Sequence, residues 1–171
     1  MNTGVCYGQL DLPLSSEGEA VVRDRARVGD SSPRVVFCSD LQRAVVTARL
    51  LFTDAKLRLD PRLRELSLGE WEGVSWDDIY ERDRVRLDAW SADWLAISPP
   101  GGETAEDLLW RTASFLADYD RELGDSAVVA HQGSLRALVC AFGRYPASSL
   151  FAISFSYLAS FSVFDLRHRR T

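Results

Sequence analysis

Two segments of the chain share one shape. In 34-RVVFCSDLQRAVVTARLLF-52 a short apolar run ends at Ser39 and a helical pattern follows. In 126-SAVVAHQGSLRALVCAF-142 a second apolar run leads to His131, and another helix pattern follows. Brief apolar runs without alternation read as strands buried on both faces, and a helix after each strand returns the chain for parallel pairing. The pattern therefore predicts an α/β domain with a mainly parallel sheet.

The remaining punctuation fits this frame. Ser16 with Glu19 predicts a capped helix over about 17–28, and Ser39 with Gln42 predicts the cap of the helix after the first apolar run. The piece 57-LRLD-60 reads as a short strand, and 61–74 as a loop with glycines at 69 and 73. Ser75 with Asp78 opens a helix expected to reach about Trp94, and 98-SPPGGE-103 is a turn. Thr104 with Asp107 caps a helix expected to end near Gly124. The stretch 153-ISFSYLASFSVF-164 alternates apolar and serine positions, which predicts a strand rather than a membrane helix. No repeat or linker divides residues 1–171, so one domain is expected. Residues 1 to 14 read as a loop, and no strand precedes Gly4 although α/β sheets usually open with one.

A net charge of −5 argues against a nucleic-acid-binding face but leaves room for a local pocket for a small anion. Cys6, Cys38 and Cys140 stand far apart, without metal-ligand spacing. Their odd number and the lack of a signal-peptide pattern suggest a cytoplasmic location. No metal or cofactor is expected.

Ser39 and His131 both end short strands and precede helices. Ligands of open α/β sheets bind beyond the carboxyl ends of the strands, where helix N-termini present free N–H groups and a positive dipole end. Arg43, in the first turn after Ser39, can meet an anion with paired hydrogen bonds. These residues outline a phosphate or carboxylate pocket. Taken singly, a histidine beside a glycine turn such as His131 is more often structural, Arg43 reads as a solvated helix residue, and Glu65, Glu70 and Glu72 could be an acidic loop. His168, in the charged tail, reads as solvated. Cys38 and Arg43 do not have cysteine-phosphatase spacing, and neither GxSxG nor GxxxxGK[ST] occurs, so spacing leaves a pocket without a nucleophile.

Several ordered motifs resemble the histidine phosphatase, or phosphoglycerate mutase-like, superfamily. GVCYGQLDLPLSSEG resembles the loop after that family's catalytic histidine, and CSDLQRAVVTARLL its SSPLxRAxxTAxxL. RLRELSLGEWEG is similar to LxExxxGxWEG, SPPGGETAEDLLWR to the PPGGES helix start, and VVAHQGSLRAL to the second-histidine motif. The resemblance implies a three-layer α/β/α sandwich and a metal-free phosphomonoesterase acting on a small phosphorylated metabolite. It implies that Arg43 binds the phosphoryl oxygens, that His131 stabilises the transferring group, and that Glu65 protonates the leaving oxygen. Cys6, Tyr7 and Gly8 would line the substrate mouth. Within the family, CYGQLDLPLS, DAWSADW, AHQG and PASSLF are nearest to the α-ribazole phosphatases of cobalamin nucleotide-loop assembly; phosphoglycerate mutase and fructose-2,6-bisphosphatase activities are the alternatives. The family's Arg-His-Gly triplet, which carries the phosphorylated histidine, does not occur in these 171 residues. Its strand is expected between those of RVVFCS and SAVVA, where a gap would leave ladder groups unpaired at roughly 1–3 kcal/mol each. That cost favours a chain whose true start lies upstream over a phosphate-binding pseudoenzyme or a poorly folding remnant.

Overall fold

The computed structural model describes residues 4–27, 33–119, 126–143, 145–156 and 158. Three parallel strands, β1 (Val35–Cys38), β2 (Lys56–Leu59) and β3 (Ser126–Val129), form a sheet in the order β2-β1-β3. Helices α1 (Ser16–Ala26), α2 (Gln42–Leu51), α3 (Trp76–Arg82), α4 (Arg84–Ala92), α5 (Ala105–Tyr119) and α6 (Gln132–Gly143) surround it.

The alternation of side chains along a strand divides β1 between two layers. Val36 and Cys38 meet Ala44 and Ala48 of α2. Val35 and Phe37 point the other way, against Phe115 and Leu116 of α5 and Leu138 of α6. The small Ala44 and Ala48 let α2 lie close to the sheet. On the opposite layer, Phe37 meets Phe115 edge-on at 5.5 Å between ring centroids. Truncating Phe37 to alanine would cost about 3–5 kcal/mol, because neighbours held in regular elements cannot close the cavity. The result is the three-layer α/β/α sandwich around a parallel sheet.

Four features correct the expectations from sequence. First, β1 and β3 are direct neighbours, in register from Val35↔Ser126 to Cys38↔Val129. No gap lies between them, so the unpaired ladder groups expected there do not arise. Second, the α1 cap is Ser15, whose side chain accepts from the Gly18 N–H, and not Ser16, which is the first helical residue. Third, the helix expected over 75–94 is broken at Asp83, whose carboxylate accepts a hydrogen bond from Trp71 Nε1 at 2.9 Å. Fourth, residues 153–156 join no strand among the described residues; 157 and 159–164 of the alternating stretch, like Gly124, lie outside them.

Two of the expected caps do form, the second as a reciprocal capping box. Ser75 accepts from the Asp78 N–H, and Thr104 and Asp107 bond each other's backbone N–H. The 61–74 stretch contains two short 3-10 turns, Pro61–Leu63 and Gly69–Trp71. Gly69, at φ +55, packs against the 98–102 turn so closely that a side chain would overlap Pro100 O and Gly102 N. That contact fixes the loop carrying Glu65 and Glu72. No helix among the described residues is long and apolar enough to cross a membrane.

Candidate active site

The site lies where β1 and β3 end. The ladder finishes with the Ser39 N–H donating to Val129 O at 3.0 Å, which brings the next residues of both strands side by side. His131 Nε2 comes within 2.8 Å of Ser39 Oγ. The turn into α6 is held by the His131 N–H donating to Ser134 Oγ (3.1 Å), whose hydroxyl donates to Leu63 O (2.9 Å). Burial, with the positive charges of Arg43 and Arg111, pushes the His131 pKa down to about 3 against the opposing pull of Asp40. The imidazole is neutral at physiological pH.

Arg43 projects from the first turn of α2 into the same region. Its guanidinium donates to Leu10 O (2.8 Å) and Gly8 O (2.6 Å) and lies 5.5 Å from the centroid of the Tyr7 ring. The 7–11 loop is thus tied to the arginine that the sequence marks as an anion ligand. Burial lowers the Arg43 pKa, and the nearby Glu65 is foremost among the groups opposing that shift.

Glu65 reaches the start of α6. Its Oε1 and Oε2 accept from the Gly133 N–H at 3.0 and 3.1 Å, and Oε1 also accepts from the Leu66 N–H at 2.8 Å. Its own carbonyl is held by Arg111 Nη2 (2.8 Å) and Gln9 Nε2 (3.0 Å). Arg111 also donates to Arg62 O and is clamped by Glu103 at 2.6 Å, both side chains being largely buried. Arg64 pairs with Asp40 through two hydrogen bonds of 2.7 and 2.5 Å.

Arg43, Glu65 and His131 therefore converge with Ser39. Tyr7 is 43% exposed at the mouth, and Gly8 is buried beneath it. Cys6 does not line the mouth. It is 1% exposed and packs with Trp71 and Ile79, because the bridge between Val5 and Ser75 turns it inward. Burial, then the charge of Glu72, pushes its thiol up to about 12, and burial with Asp40 does the same for Cys38, so neither offers a ready thiolate.

Sequence reasoning missed Arg111 and Gln9 and left Glu72 as a possible acidic loop residue. Glu72 instead accepts from the Gln9 N–H (2.8 Å) and the Leu68 N–H (2.9 Å), joining the mouth loop to the Glu65 loop. All three act across long sequence separations that leave no local pattern. His168 lies outside the described residues. Among the described residues no group of three or more His, Cys, Asp or Glu side chains could hold a metal ion.

Known proteins resemble this chain in sequence and fold. The chain matches the histidine phosphatase superfamily (branch 1) over residues 1–171. It is 30% identical to adenosylcobalamin/alpha-ribazole phosphatase of Escherichia coli K12, covering 86% of this chain and 75% of that one. It is 34% identical to glucosyl-3-phosphoglycerate phosphatase of Mycobacterium tuberculosis, covering 83% and 69%. Among solved structures, the alpha-ribazole phosphatase of Shigella flexneri superposes with a TM-score of 0.81 at 29% identity, over 87% of this chain and 76% of that one. The chain belongs to the histidine phosphatase superfamily.

Proposed function

We propose that the pocket binds the phosphoryl group of a small phosphomonoester, with α-ribazole 5′-phosphate as the substrate. The observation that carries this reading is the meeting of Arg43, His131 and Ser39 at adjacent strand ends, beside the first turns of α2 and α6. Phosphoryl transfer asks a protein mainly for positioning and for charge stabilisation of the equatorial oxygens. Arg43 supplies a fork of N–H donors, and the neutral His131 an imidazole that can hydrogen-bond a phosphoryl oxygen. Glu65 lies close enough to Arg43 to favour its charged form and serves, once protonated, as the proton donor to the leaving oxygen.

The mouth favours a leaving group without its own negative charge. The guanidinium groups of Arg64 and Arg111 are paired with Asp40 and Glu103, which leaves neither free for a substrate carboxylate such as that of glucosyl-3-phosphoglycerate. Tyr7 offers an exposed aromatic face to a ribose bearing an aromatic base. Placement in cytoplasmic cobalamin nucleotide-loop assembly follows from this substrate.

Calorimetry with inorganic phosphate tests the binding step. Arg43→Ala should weaken phosphate binding about tenfold to a hundredfold, the range for a charge-assisted hydrogen-bonding group; equal affinity in both proteins would remove Arg43 from the site. Turnover separates the phosphatase from its alternative, a phosphate-binding pseudophosphatase. These 171 residues contain no Arg-His-Gly triplet, so hydrolysis of α-ribazole 5′-phosphate should be residual. A fusion supplying a strand that ends in that triplet should raise turnover by several orders of magnitude, since loss of a nucleophile costs about a million-fold in another hydrolase. A fusion that folds and remains inactive would support the pseudophosphatase.

A further inference from the structure

The first turn of α6 already holds an anion, and that anion is part of the chain. Both carboxylate oxygens of Glu65 lie on the Gly133 N–H, and the Leu66 N–H secures one of them. Gly133 is shaped for this contact, because a methyl group built there would overlap Glu65 Oε1. The backbone of Glu65 is pinned separately, by Arg111 and Gln9 on its carbonyl oxygen. The side chain can therefore leave by rotation about its own torsions while its backbone stays in place.

We propose that Glu65 is an internal ligand of the phosphate pocket: its carboxylate holds the Gly133 N–H, and an incoming phosphoryl oxygen takes that donor by displacing it. This rests on the phosphomonoester reading above. Two negative groups cannot share one N–H at hydrogen-bond distance without strong repulsion, so occupancy is exclusive. Displacement makes Glu65 a specificity residue. A free inorganic anion must expel the carboxylate with its own contacts alone. An ester also gains contacts from its remaining atoms at the 7–11 loop, and that binding energy can drive the exchange. The released carboxylate then lies on the substrate side, where it can take the proton of a phosphomonoester monoanion and pass it to the ester oxygen as the P–O bond breaks. Once the ester is cleaved, its return to Gly133 helps expel free phosphate.

Sulfate is the suitable probe, because it stays a dianion from acid to neutral pH. The test titrates sulfate into ¹⁵N-labelled wild type, Glu65→Gln, Glu65→Ala and Arg43→Ala, reading affinity by calorimetry and the Gly133 amide by NMR. Glu65→Ala should bind sulfate roughly tenfold more tightly, the scale of a charge acting at a partly buried helix end. Glu65→Gln should fall between it and wild type, since its amide oxygen can still accept from Gly133 but carries no charge. It also preserves the local hydrogen bonds if the alanine variant folds poorly. In wild type the Gly133 amide should shift as sulfate saturates. Unchanged or weaker affinity in both Glu65 variants, or a Gly133 amide unmoved at saturation, overturns the proposal. If Arg43→Ala abolishes binding while the Glu65 variants behave as wild type, only the internal-ligand role fails. Sulfate binding indifferent to Arg43 removes the phosphate site as well.

Discussion

Helices α2 and α6 start at neighbouring strand ends of one parallel sheet, and a carboxylate from a distant loop covers each start. At α2, Asp11 Oδ1 accepts from the Gln42 N–H at 2.7 Å across 31 residues, in the open. At α6, Glu65 accepts from the Gly133 N–H across 68 residues, partly buried. Asp11 also takes a hydrogen bond from the Gln42 side chain, and its loop is tethered by Arg43 through Gly8 and Leu10. Glu65 sits against a glycine where an added methyl group would meet its carboxylate. The same dipole physics thus serves two ends. The exposed end fastens a loop over the mouth, and the recessed end holds charge where phosphoryl oxygens are proposed to bind.

The sharpest way to break this contrast is Gly133→Ala. The added methyl group overlaps Glu65 Oε1, so the carboxylate must leave and its donors lose their partner. The carboxylate can rotate away, so the loss of its hydrogen bonds to the Gly133 and Leu66 N–H groups should dominate, at about 2 kcal/mol in urea unfolding. A cost below about 0.5 kcal/mol, the usual range for a surface substitution, would mean that the α6 end is as accommodating as the α2 end.

A second measurement uses pH. Burial and the neighbouring arginines hold the His131 pKa near 3, below the unfolded value of about 6.5. Below pH 6.5 the unfolded chain binds a proton that the folded chain refuses, so stability is full above that pH and falls as pH drops toward 3. The slope from this one group approaches 1.4 kcal/mol per pH unit, for a total loss of about 2 kcal/mol between pH 6 and 4. Asp40, whose pKa is lowered chiefly by its hydrogen bond to Arg64, also contributes stability that is lost on acidification, but only at the acid edge of this window. His131→Asn should therefore flatten the denaturation midpoint between pH 4 and 6. An unchanged slope in the variant would show that His131 takes up its proton while the protein stays folded.

Much of this frame was legible locally. The runs VVFC and SAVV, and the Ser75–Asp78 and Thr104–Asp107 caps, announce strands and helix starts through neighbours at most a few residues apart. Arg43 and His131 were legible as site candidates because each sits at a strand-to-helix turn. What stayed hidden depends on distant partners. The expected Ser39–Gln42 cap gives way to Asp11, since Ser39 is turned toward His131 and Leu41. The side-by-side pairing of β1 and β3 is a matter of register and topology, which strand composition does not encode. The inward turn of Cys6 follows from its backbone pairing with Val74 and Gly73. Arg111 looks like any arginine on an amphipathic helix until Glu103 and the Glu65 carbonyl appear on either side of it.

The smallest expected effect tests the exposed end. Asp11→Ala removes the acceptor for the Gln42 N–H, which lies in the open and can bond water instead. A lost helix cap of this kind costs about 1 kcal/mol. Asp11→Asn keeps an acceptor oxygen and should recover most of it. The more telling change is local. Arg43 still holds Gly8 and Leu10, and Glu65 and Glu72 still hold Gln9, so the 7–11 loop loses only its anchor at Asp11, and its end there should open more often. Amide exchange at Leu10, whose N–H bonds to Tyr7 O inside that loop, should accelerate several-fold while exchange in α6 stays unchanged. Sulfate affinity should change by less than the roughly tenfold gain expected for Glu65→Ala, because Asp11 caps the loop side of Arg43 and takes no donor from α6. If Asp11→Ala instead tightens sulfate binding as much as Glu65→Ala does, the two carboxylates are equivalent competitors for the anion. The α2 end would then belong to the phosphate pocket rather than to the loop.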